Sequence, residues 1–587
     1  MFSSSKNGRI IEMKRKARCK KMKAARLKDL YTPEIEKMDR KCPWADYPRP
    51  QFKRDSYLNL NGEWEFTICR SEEIPEVYTE RILVPFPPES LLSGINREIQ
   101  CGERMYYKRA FTLPEGFVHD RVVLHIDACD QISEIYLNGK FVSKKEGGYT
   151  PHSADITDFL VSGENTLVVK ATDDLDKNYP YGKQRRDRGG MWYTPVSGIW
   201  QTVWIESLPV RAINSIKITP SMKNVKIEVN SEADIKVLTL DSGERYEFAG
   251  DEIVIEPENP VLWTPENPHI YRFALETEND KIESYFALRE VGIGEFDGVK
   301  RITLNGEPYV FNGLLDQGYY PDGIFLPPTA EGYANDILYA KECGFNMLRK
   351  HIKIEPQMFY YLCDTLGIAV FQDMINNSDY SFFRDTALPT VGIQKMRDKG
   401  LHKSQKSREI FISTMLEEAE LLYNCPSIVY YTIFNEGWGQ FSADEMYGVL
   451  KAKDPTRIID STSGWFRRKL SDIDSRHIYF KPLKVKGRDE RPLVISEFGG
   501  YAHRVEGHLS TEGNYGYRTF ATREELEDMV VKLYEREVLP LAKAGASAFV
   551  YTQVSDVEDE TNGIMTYDRK VKKLNPERMR EVMRKIQ

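Results

Sequence analysis

Two apolar runs in this sequence each end in a glutamate. Residues 428–434 are mainly β-branched or aromatic and lead into Asn435 and Glu436, and residues 492–495 lead into Ser496 and Glu497. Each run has the length and composition of a buried strand whose last residues leave the core. A single glutamate after a strand is usually a solvated loop residue. The repetition, however, indicates two carboxylates at one end of a parallel sheet.

Paired carboxylates are the groups that glycosidic-bond hydrolysis requires. One carboxylic acid protonates the leaving oxygen, while the second carboxylate attacks the anomeric carbon or activates water. Glu436 follows an apolar strand and is flanked by Asn435 and Trp438, which favours the protonated acid. Glu497 precedes Phe-Gly-Gly, where glycines allow a substrate to approach the backbone closely. The residues alone leave open which glutamate is the acid and which the nucleophile.

The bulk composition argues against several other classes of protein. The net charge of −8 argues against a nucleic-acid-binding protein. Residues 1–587 contain no apolar run near the roughly 20 residues that a membrane span requires. The eight cysteines show no CxxC or metal-ligand spacing, which predicts free thiols in a reducing compartment and hence a cytoplasmic protein.

The N-terminal segment has a different composition. Residues 6–28 contain 11 Lys and Arg residues and one acidic residue, without the apolar stretch of a secretory signal. We expect residues 1–30 to be a disordered basic extension, or residues upstream of a native start at Met13 or Met22. An arm for nucleic acid or a membrane surface is the alternative.

The remaining chain is predicted to form three domains. Residues 31–208 show short alternating strands with Asn-Gly turns and no convincing helix, as in a β-sandwich. Residues 209–293 contain further short strands and are predicted to be an immunoglobulin-like β-sandwich. In residues 294–587, strands alternate with helical stretches, which predicts a (β/α)8 TIM barrel.

The predicted barrel fixes where the chemistry should lie. Its strands are predicted at residues 309–315, 345–349, 368–371, 458–461, 477–480, 493–496 and 547–551, with the fourth beginning at 428. Active sites of such barrels lie at the carboxyl ends of the strands. Besides the two glutamates, the polar and aromatic residues predicted there to bind substrate are Asn435, His351, Tyr479, Asp316, Asp373, Trp465, Gln553 and Asp556.

Other catalytic classes lack their motifs. The sequence contains no phosphate-binding Gly-rich loop, no G-x-S-x-G and no HExxH. His351, Asp373 and His477 are candidate metal ligands, but no short ligand spacing supports a metal site. We therefore expect neither a metal ion nor another cofactor.

Several segments together resemble glycoside hydrolase family 2, the β-galactosidase, β-glucuronidase and β-mannosidase family. The resemblance covers roughly residues 50–587, and its segments arrive in the family's order. They are residues 60–64 and 197–201 for a sugar-binding jelly roll, 261–268 for an Ig-like domain, 344–349 with His351 for the second barrel strand, 435–438 for the acid/base motif and 496–499 for the nucleophile strand.

The resemblance implies a retaining exo-β-glycosidase acting by double displacement. Glu436 would be the acid/base and Glu497 the nucleophile, and His351, Asn435 and Tyr479 would bind substrate. The resemblance also implies a jelly-roll fold for residues 31–208. The expected partner is a carbohydrate or glycoside, with no nucleic acid and no membrane. A homo-oligomer is left open.

The sugar is predicted from one departure from the family pattern. Residues 566–570 resemble a glucuronidase segment that follows an Asn-x-Lys carboxylate clamp, but residues 560–562 here are Glu-Thr-Asn. The carboxylate-binding lysine is therefore missing, and an acid lies nearby, which would repel a uronic acid. We predict a neutral sugar, galactose first. The alternatives are a β-glucuronidase or other β-glycosidase of the family and, from another class, a non-catalytic carbohydrate-binding protein.

Overall fold

The computed structural model describes residues 27–586, except residues 395, 486 and 488. The predicted basic extension therefore falls mostly outside the described residues. The predicted fold class is confirmed: two β-sandwich regions precede a parallel barrel of eight strands. The predicted domain boundaries stay predictions.

The first region packs two antiparallel sheets face to face. Residues from both sheets share one core, which includes Trp64, Phe66, Tyr107, Leu124 and Ile205. The four-stranded sheet has the order Leu58–Asn59, Val203–Leu208, Arg121–Ile126 and His152–Asp155. The six-stranded sheet has the order Glu80–Val84, Gly62–Cys69, Arg104–Thr112, Glu164–Thr172, Ile132–Leu137 and Lys140–Glu146. A small ribbon pairs Gly198–Ile199 with Cys129–Asp130.

The second region is a smaller sandwich with its own core around Ile227, Leu238 and Phe273. Its sheets are Ile213–Pro220, Val225–Ser231 and Glu252–Ile255, and Arg245–Ala249, Ile235–Leu240, Tyr271–Glu276 and Lys281–Phe286. A three-stranded sheet of Val291–Phe296, Val299–Leu304 and Glu307–Pro308 follows and leads to the barrel.

Eight parallel strands form the barrel. In chain order they are β1 (Phe311–Asp316), β2 (Met347–Lys350), β3 (Ala369–Asp373), β4 (Ile428–Thr432), β5 (Ile458–Asp460), β6 (Asp474–Ile478), β7 (Leu493–Gly499) and β8 (Ala546–Thr552). Strand β1 pairs with both β2 and β8, and the sheet stays open between β5 and β6. Alternate residues pack inside and outside, as with Phe371 inside and Val370 against the helices.

The helices surround this sheet. They are α1 (Glu331–Glu342), α2 (Gln357–Leu366), α3 (Gln405–Leu421), α4 (Ala443–Lys453), α5 (Arg523–Leu533), α6 (Leu539–Lys543) and α7 (Pro576–Met583). Capping residues fix several ends. Ser404 caps α3, Thr522 and Glu525 form a capping box on α5, and Gly367 ends α2 in the left-handed conformation. Short helical turns are Pro33–Lys37, Thr157–Phe159, Phe383–Ala387, Leu388–Thr390, Asp398–Gly400 and Tyr534–Val538.

Two details of the predicted barrel are wrong. Strand β6 covers Asp474–Ile478 rather than residues 477–480, because its first residues are polar groups satisfied by ion pairs, such as Asp474 with Arg467. In addition, the described residues of the connections after β5 and β6 contain no helix, so the alternation of strand and helix is incomplete there. Across the described chain, no helix combines the length and the hydropathy that crossing a membrane demands.

Candidate active site

The carboxyl ends of β4 and β7 bring Glu436 and Glu497 together. Glu436 lies four residues beyond β4, and Glu497 lies within β7, close to its carboxyl end. One oxygen of each carboxylate and Nδ1 of His477 all lie within 4.8 Å of one another. Both glutamates are buried. The two strand ends therefore form one cluster with the imidazole of His477.

A tight turn holds Glu436. Its backbone has a φ of +51°, a left-handed conformation that non-glycine residues seldom adopt. Its N–H donates to the carbonyl of Ser463 at 3.1 Å. Gly437 follows with a φ of +77°, and a Cβ there would lie 2.6 Å from the ring of Phe466. The Asn-Glu-Gly order thus matches a turn in which only glycine fits directly after the glutamate.

His477 connects the two carboxylates. Its Nδ1 lies 2.8 Å from Oε1 of Glu436 and 3.5 Å from Oε2 of Glu497, so a hydrogen bond joins the imidazole to Glu436. The other ring nitrogen lies 3.0 Å from Oγ of Ser463, which fixes the ring plane.

Arg349 orients the Glu497 side of the site from β2. Its guanidinium donates to Oε1 of Glu497 at 3.0 Å, to Oδ1 of Asn435 at 2.9 Å and to Oδ1 of Asp373 at 3.0 Å. These are charge-assisted bonds in a buried setting, where they are strong and directional. One arginine thereby fixes groups from three strands.

Tyr479 completes the hydrogen bonding of Glu497. Its hydroxyl donates to Oε2 of Glu497 at 2.7 Å and lies 2.8 Å from Oγ1 of Thr552. Its ring stacks on Tyr517 with centroids 3.8 Å apart. The phenol is therefore held both by stacking and by hydrogen bonds.

The surroundings separate the proton affinities of the two carboxyl groups. Burial raises the pKa of Glu436, and the negative charge of Glu497 adds to this, against the lowering effect of His477. Burial also acts to raise the pKa of Glu497, but the charges of His477 and Arg349 outweigh it and lower that pKa. One carboxyl group is thus favoured as an acid and the other as an anion.

His351 and Asp373 form a pair beside the carboxylates. Nδ1 of His351 lies 2.7 Å from Oδ2 of Asp373. Burial, with the nearby charge of Lys183, lowers the pKa of His351 to about 4. The imidazole is therefore neutral near pH 7. Its Nδ1–H donates a hydrogen bond to Asp373, so its Nε2 is left as a hydrogen-bond acceptor.

The other predicted residues lie at different distances from this cluster. The ring of Trp465 is 6.2 Å from that of His477. Gln553 is fully buried, donates to Glu560 and Asn562, and accepts from Gln317. Asp316 binds Lys350 at 2.6 Å, and Asp556 binds Lys573 at 2.6 Å. Both aspartates are thus already paired with lysines, and their predicted role in binding substrate stays a prediction.

Sequence reasoning gave no role to Arg349, and it named His477 as a candidate metal ligand rather than as a partner of the two glutamates. An arginine inside the buried strand β2 was a visible signal, since such a charge requires partners. The sixth strand was predicted to begin at residue 477, which put His477 at its start. In the structure, His477 lies near the carboxyl end of β6.

A loop from the first β-sandwich region covers the barrel mouth. The loop, residues 173–197, places Trp192 against Trp438 and Tyr380, with ring centroids 5.3 and 4.9 Å apart. The N–H of Thr194 donates to Glu558 at 2.7 Å. Two regions of the chain therefore shape the site.

Within the described part of the chain, only Glu436, His477 and Glu497 come close enough to form a three-ligand metal site. His477 Nδ1 is hydrogen-bonded to Glu436, and Glu497 accepts from Arg349 and Tyr479. A cation would have to displace these bonds.

Comparison with known proteins assigns the chain to a family. Residues 95–209 match the sugar-binding domain of glycosyl hydrolases family 2, and residues 300–587 match the TIM barrel domain of that family. A β-galactosidase of Aeromonas hydrophila is 24% identical over 557 residues, covering 82% of this chain and 50% of that protein. The chain spans about half the length of the curated relatives it matches.

Solved structures share the fold. A β-D-glucuronidase of Dictyoglomus thermophilum has a TM-score of 0.71 at 19% identity, covering 92% of this chain and 98% of the other. A family 2 β-galacturonidase of Eisenbergiella tayi has a TM-score of 0.66 at 18% identity, with the same coverage of the two chains.

Proposed function

The chain belongs to glycoside hydrolase family 2, and from this premise we propose that it is a retaining exo-β-glycosidase with Glu436 as acid/base and Glu497 as nucleophile. The observation that carries the proposal is the close approach of two buried carboxylates, with oxygens within 4.8 Å of each other. Retaining enzymes place the carboxyl groups about 5–5.5 Å apart, whereas inverting enzymes leave room for a water between them.

The first step would form a glycosyl-enzyme ester. An oxygen of Glu497 attacks the anomeric carbon while the bond from that carbon to the leaving oxygen breaks. The leaving oxygen keeps the electron pair of the broken bond. Glu436 transfers its proton to that oxygen, so the alcohol departs neutral. The raised pKa of Glu436 and the lowered pKa of Glu497 support these roles.

In the second step Glu436 would act as a base instead of an acid. Now ionised, Glu436 takes a proton from water, and the water oxygen attacks the anomeric carbon and releases Glu497. His477 stabilises both protonation states of Glu436, because its Nδ1 can donate to the carboxylate or accept from the acid. Two inversions give net retention.

Several neighbours are proposed to bind the sugar. The Nε2 of His351 can accept a hydrogen bond from a sugar hydroxyl. Arg349 holds the amide oxygen of Asn435, so the amide NH2 of Asn435 can donate a hydrogen bond to the sugar. Tyr479 positions the nucleophile. Asp373, Trp465 and Gln553 are proposed to support or line the site.

For the sugar we propose a neutral β-glycoside, galactoside first. Residues 560–562 are Glu-Thr-Asn where the family resemblance would require Asn-x-Lys to hold a uronate, so the lysine is missing and the buried Glu560 lies nearby. The relatives named β-galactosidases agree with this choice, although the similar solved structures include uronidases.

Substitution of the two glutamates tests the mechanism. Against a 4-nitrophenyl β-galactoside, Glu497→Gln should abolish turnover, because no covalent intermediate can form. Glu436→Gln should lower kcat/KM by roughly 10²–10⁴-fold, and less for a 2,4-dinitrophenyl glycoside, whose leaving group needs little protonation. Unchanged hydrolysis in both variants would refute the roles given to the two glutamates, and a wild type that binds these glycosides without hydrolysing them would be a carbohydrate-binding protein.

A panel of nitrophenyl glycosides tests the sugar. We expect the β-galactoside to be hydrolysed faster than the β-glucuronide or β-galacturonide, and the activity to be insensitive to EDTA. A clear preference for either uronide would overturn the choice of a neutral sugar, while loss of activity with EDTA would indicate a metal-dependent hydrolase.

A further inference from the structure

Lys183 is a buried lysine without a polar partner among the described residues. Only 7% of its surface is exposed, yet no described residue forms a hydrogen bond or ion pair with its ammonium group. The other buried lysines of the described chain all bind carboxylates or carbonyls. They are Lys170, Lys236, Lys350, Lys353 and Lys573. A buried ammonium group ordinarily requires such a partner.

The backbone of the mouth loop fixes where Lys183 points. Its carbonyl accepts from the N–H of Tyr193 at 3.0 Å. The next residue, Gln184, is fully buried and donates to Tyr149 at 2.8 Å and to Asp130 at 3.2 Å. The preceding Gly182 has a φ of +59°, and a Cβ there would contact the carbonyl of Ile352. The lysine thus has a defined position.

The ammonium group faces the active site. It lies 5.8 Å from the ring of Trp438 and 5.4 Å from the ring of Tyr193. Its charge acts on Glu436, His351 and Glu560, lowering the pKa of each. Lys183 therefore lies beside residues that surround the proposed sugar site.

Glu560 faces the same site from the loop after β8. It is buried, accepts from Nε2 of Gln553 at 2.7 Å, and forms no ion pair with a described residue. Burial raises its pKa, and the charge of Lys183 counteracts this. Two opposite charges thus face one site without touching each other.

We propose that Lys183 and Glu560 are specificity-determining residues that bind hydroxyl groups of the non-reducing sugar, with the first β-sandwich region supplying one of the two. A hydroxyl can accept from an ammonium group and donate to a carboxylate at once, so it can bridge charges that are too far apart to pair. This inference rests on the proposed glycosidase function and deepens it.

The pair selects a class of substrate. A neutral pyranose satisfies both residues, because each of its hydroxyls is both donor and acceptor. A carboxylate in the same place would pair with Lys183 but meet the charge of Glu560. A sugar lacking the bridging hydroxyl would leave the ammonium group of Lys183 desolvated and without a polar partner, and it would leave Glu560 with its hydrogen bond from Gln553 alone.

Deoxy substrates and two variants test this arrangement. The wild type should lose roughly 10- to 100-fold in kcat/KM on one of the 3-, 4- or 6-deoxy aryl β-galactosides. Lys183→Met should lose about as much on the parent galactoside, and removing that same hydroxyl should then cost less than about threefold more. Glu560→Gln, nearly isosteric, should show the same reduced sensitivity.

Lys177→Met is the matched control, since Lys177 lies in the same loop but is exposed and paired with Asp379; its kinetics should equal those of the wild type. Unchanged kinetics in Lys183→Met and Glu560→Gln would overturn the inference. So would a wild-type preference for a uronide that Lys183→Met removes, since Lys183 would then bind a carboxylate. Loss of hydrolysis in the Glu497 variant, measured in parallel, shows separately that the proposed function holds.

Discussion

At the residue scale, two identical side chains are differentiated by their partners. Glu497 accepts from Arg349 and Tyr479, whereas Glu436 has His477 as its polar neighbour. More donors stabilise the anion of Glu497, and burial beside another carboxylate stabilises the neutral form of Glu436. The differentiation arises from strand ends far apart in the sequence.

This difference predicts the pH dependence of kcat/KM. Activity should rise as Glu497 ionises, below its ordinary range, and fall as Glu436 loses its proton, above its ordinary range. Tyr479→Phe removes a hydrogen bond that lowers the pKa of Glu497, so the acid limb should move to higher pH. Rate profiles of the wild type and the variant measure this. An acid limb that stays in place, or moves down, would contradict the assigned role of Tyr479.

At the element scale, the turn after β4 determines where Glu436 stands. The positive φ values of Glu436 and Gly437 redirect the chain at the barrel rim, and the bond to Ser463 ties the turn to the segment after β5. The hydroxyl of Ser463 in turn lies 3.0 Å from Nε2 of His477 on β6, across the region where β5 and β6 do not pair.

Gly437→Ala should disturb both stability and catalysis. The new Cβ would meet the ring of Phe466 at 2.6 Å in a left-handed conformation, so we expect a loss of about 1–3 kcal/mol in the free energy of unfolding and a lower kcat. Denaturant melts and kinetics provide the measurements.

Gly448→Ala is the matched control, because Gly448 lies within α4 and a Cβ there meets nothing within 4 Å. It should be neutral or stabilise by up to about 1 kcal/mol. Equal effects of the two substitutions would show that the turn tolerates a side chain.

At the scale of the whole molecule, a buried ion cluster joins the two sandwich regions. Arg54 donates to Asp280 of the second region at 2.8 and 3.0 Å and to Glu206 of the first at 3.2 Å. Glu206 also accepts from Arg49 at 2.7 Å. Burial acts to raise the pKa of Glu206, but Arg49 and the other cationic neighbours lower it to about 2.

Arg54→Met should destabilise the protein by about 3–5 kcal/mol, because two buried carboxylates lose their shared cation. In the wild type, the contribution of Glu206 is present above its unfolded pKa and is lost as the pH falls from about 4.5 towards about 2. In the variant the folded pKa of Glu206 is less depressed, so this loss should be smaller and should be complete at higher pH. Urea melts at pH 7 and pH 4 measure both effects.

Arg211→Met is the control, since Arg211 and Asp234 form an exposed pair worth less than about 1 kcal/mol. A loss in Arg54→Met no larger than in this control would show that the cluster does not hold the two regions together.

The sequence by itself determined the fold class, the order of the β and α/β regions and the two glutamates. These follow from local properties: strand periodicity, the alternation of strands with helical stretches, and apolar runs that end in Asn-Glu and Ser-Glu. The bounds predicted for β6 were wrong, because its first residues, Asp474 and Ser475, are polar. Ion pairs and hydrogen bonds allow these two residues to be buried.

Only the tertiary structure decided which groups meet. Arg349 joins three strand ends, His477 links Glu436 to Glu497, and Lys183 reaches the barrel from a separate β-sandwich region. Such contacts depend on distance and on desolvation, which are set by the packing of segments that are separated in the sequence, by 86 residues for Arg349 and Asn435 and by 41 for His477 and Glu436. Local patterns can show that a buried charge such as Arg349 requires partners, but they do not specify those partners, so the contacts that tune the site emerged only from the folded chain.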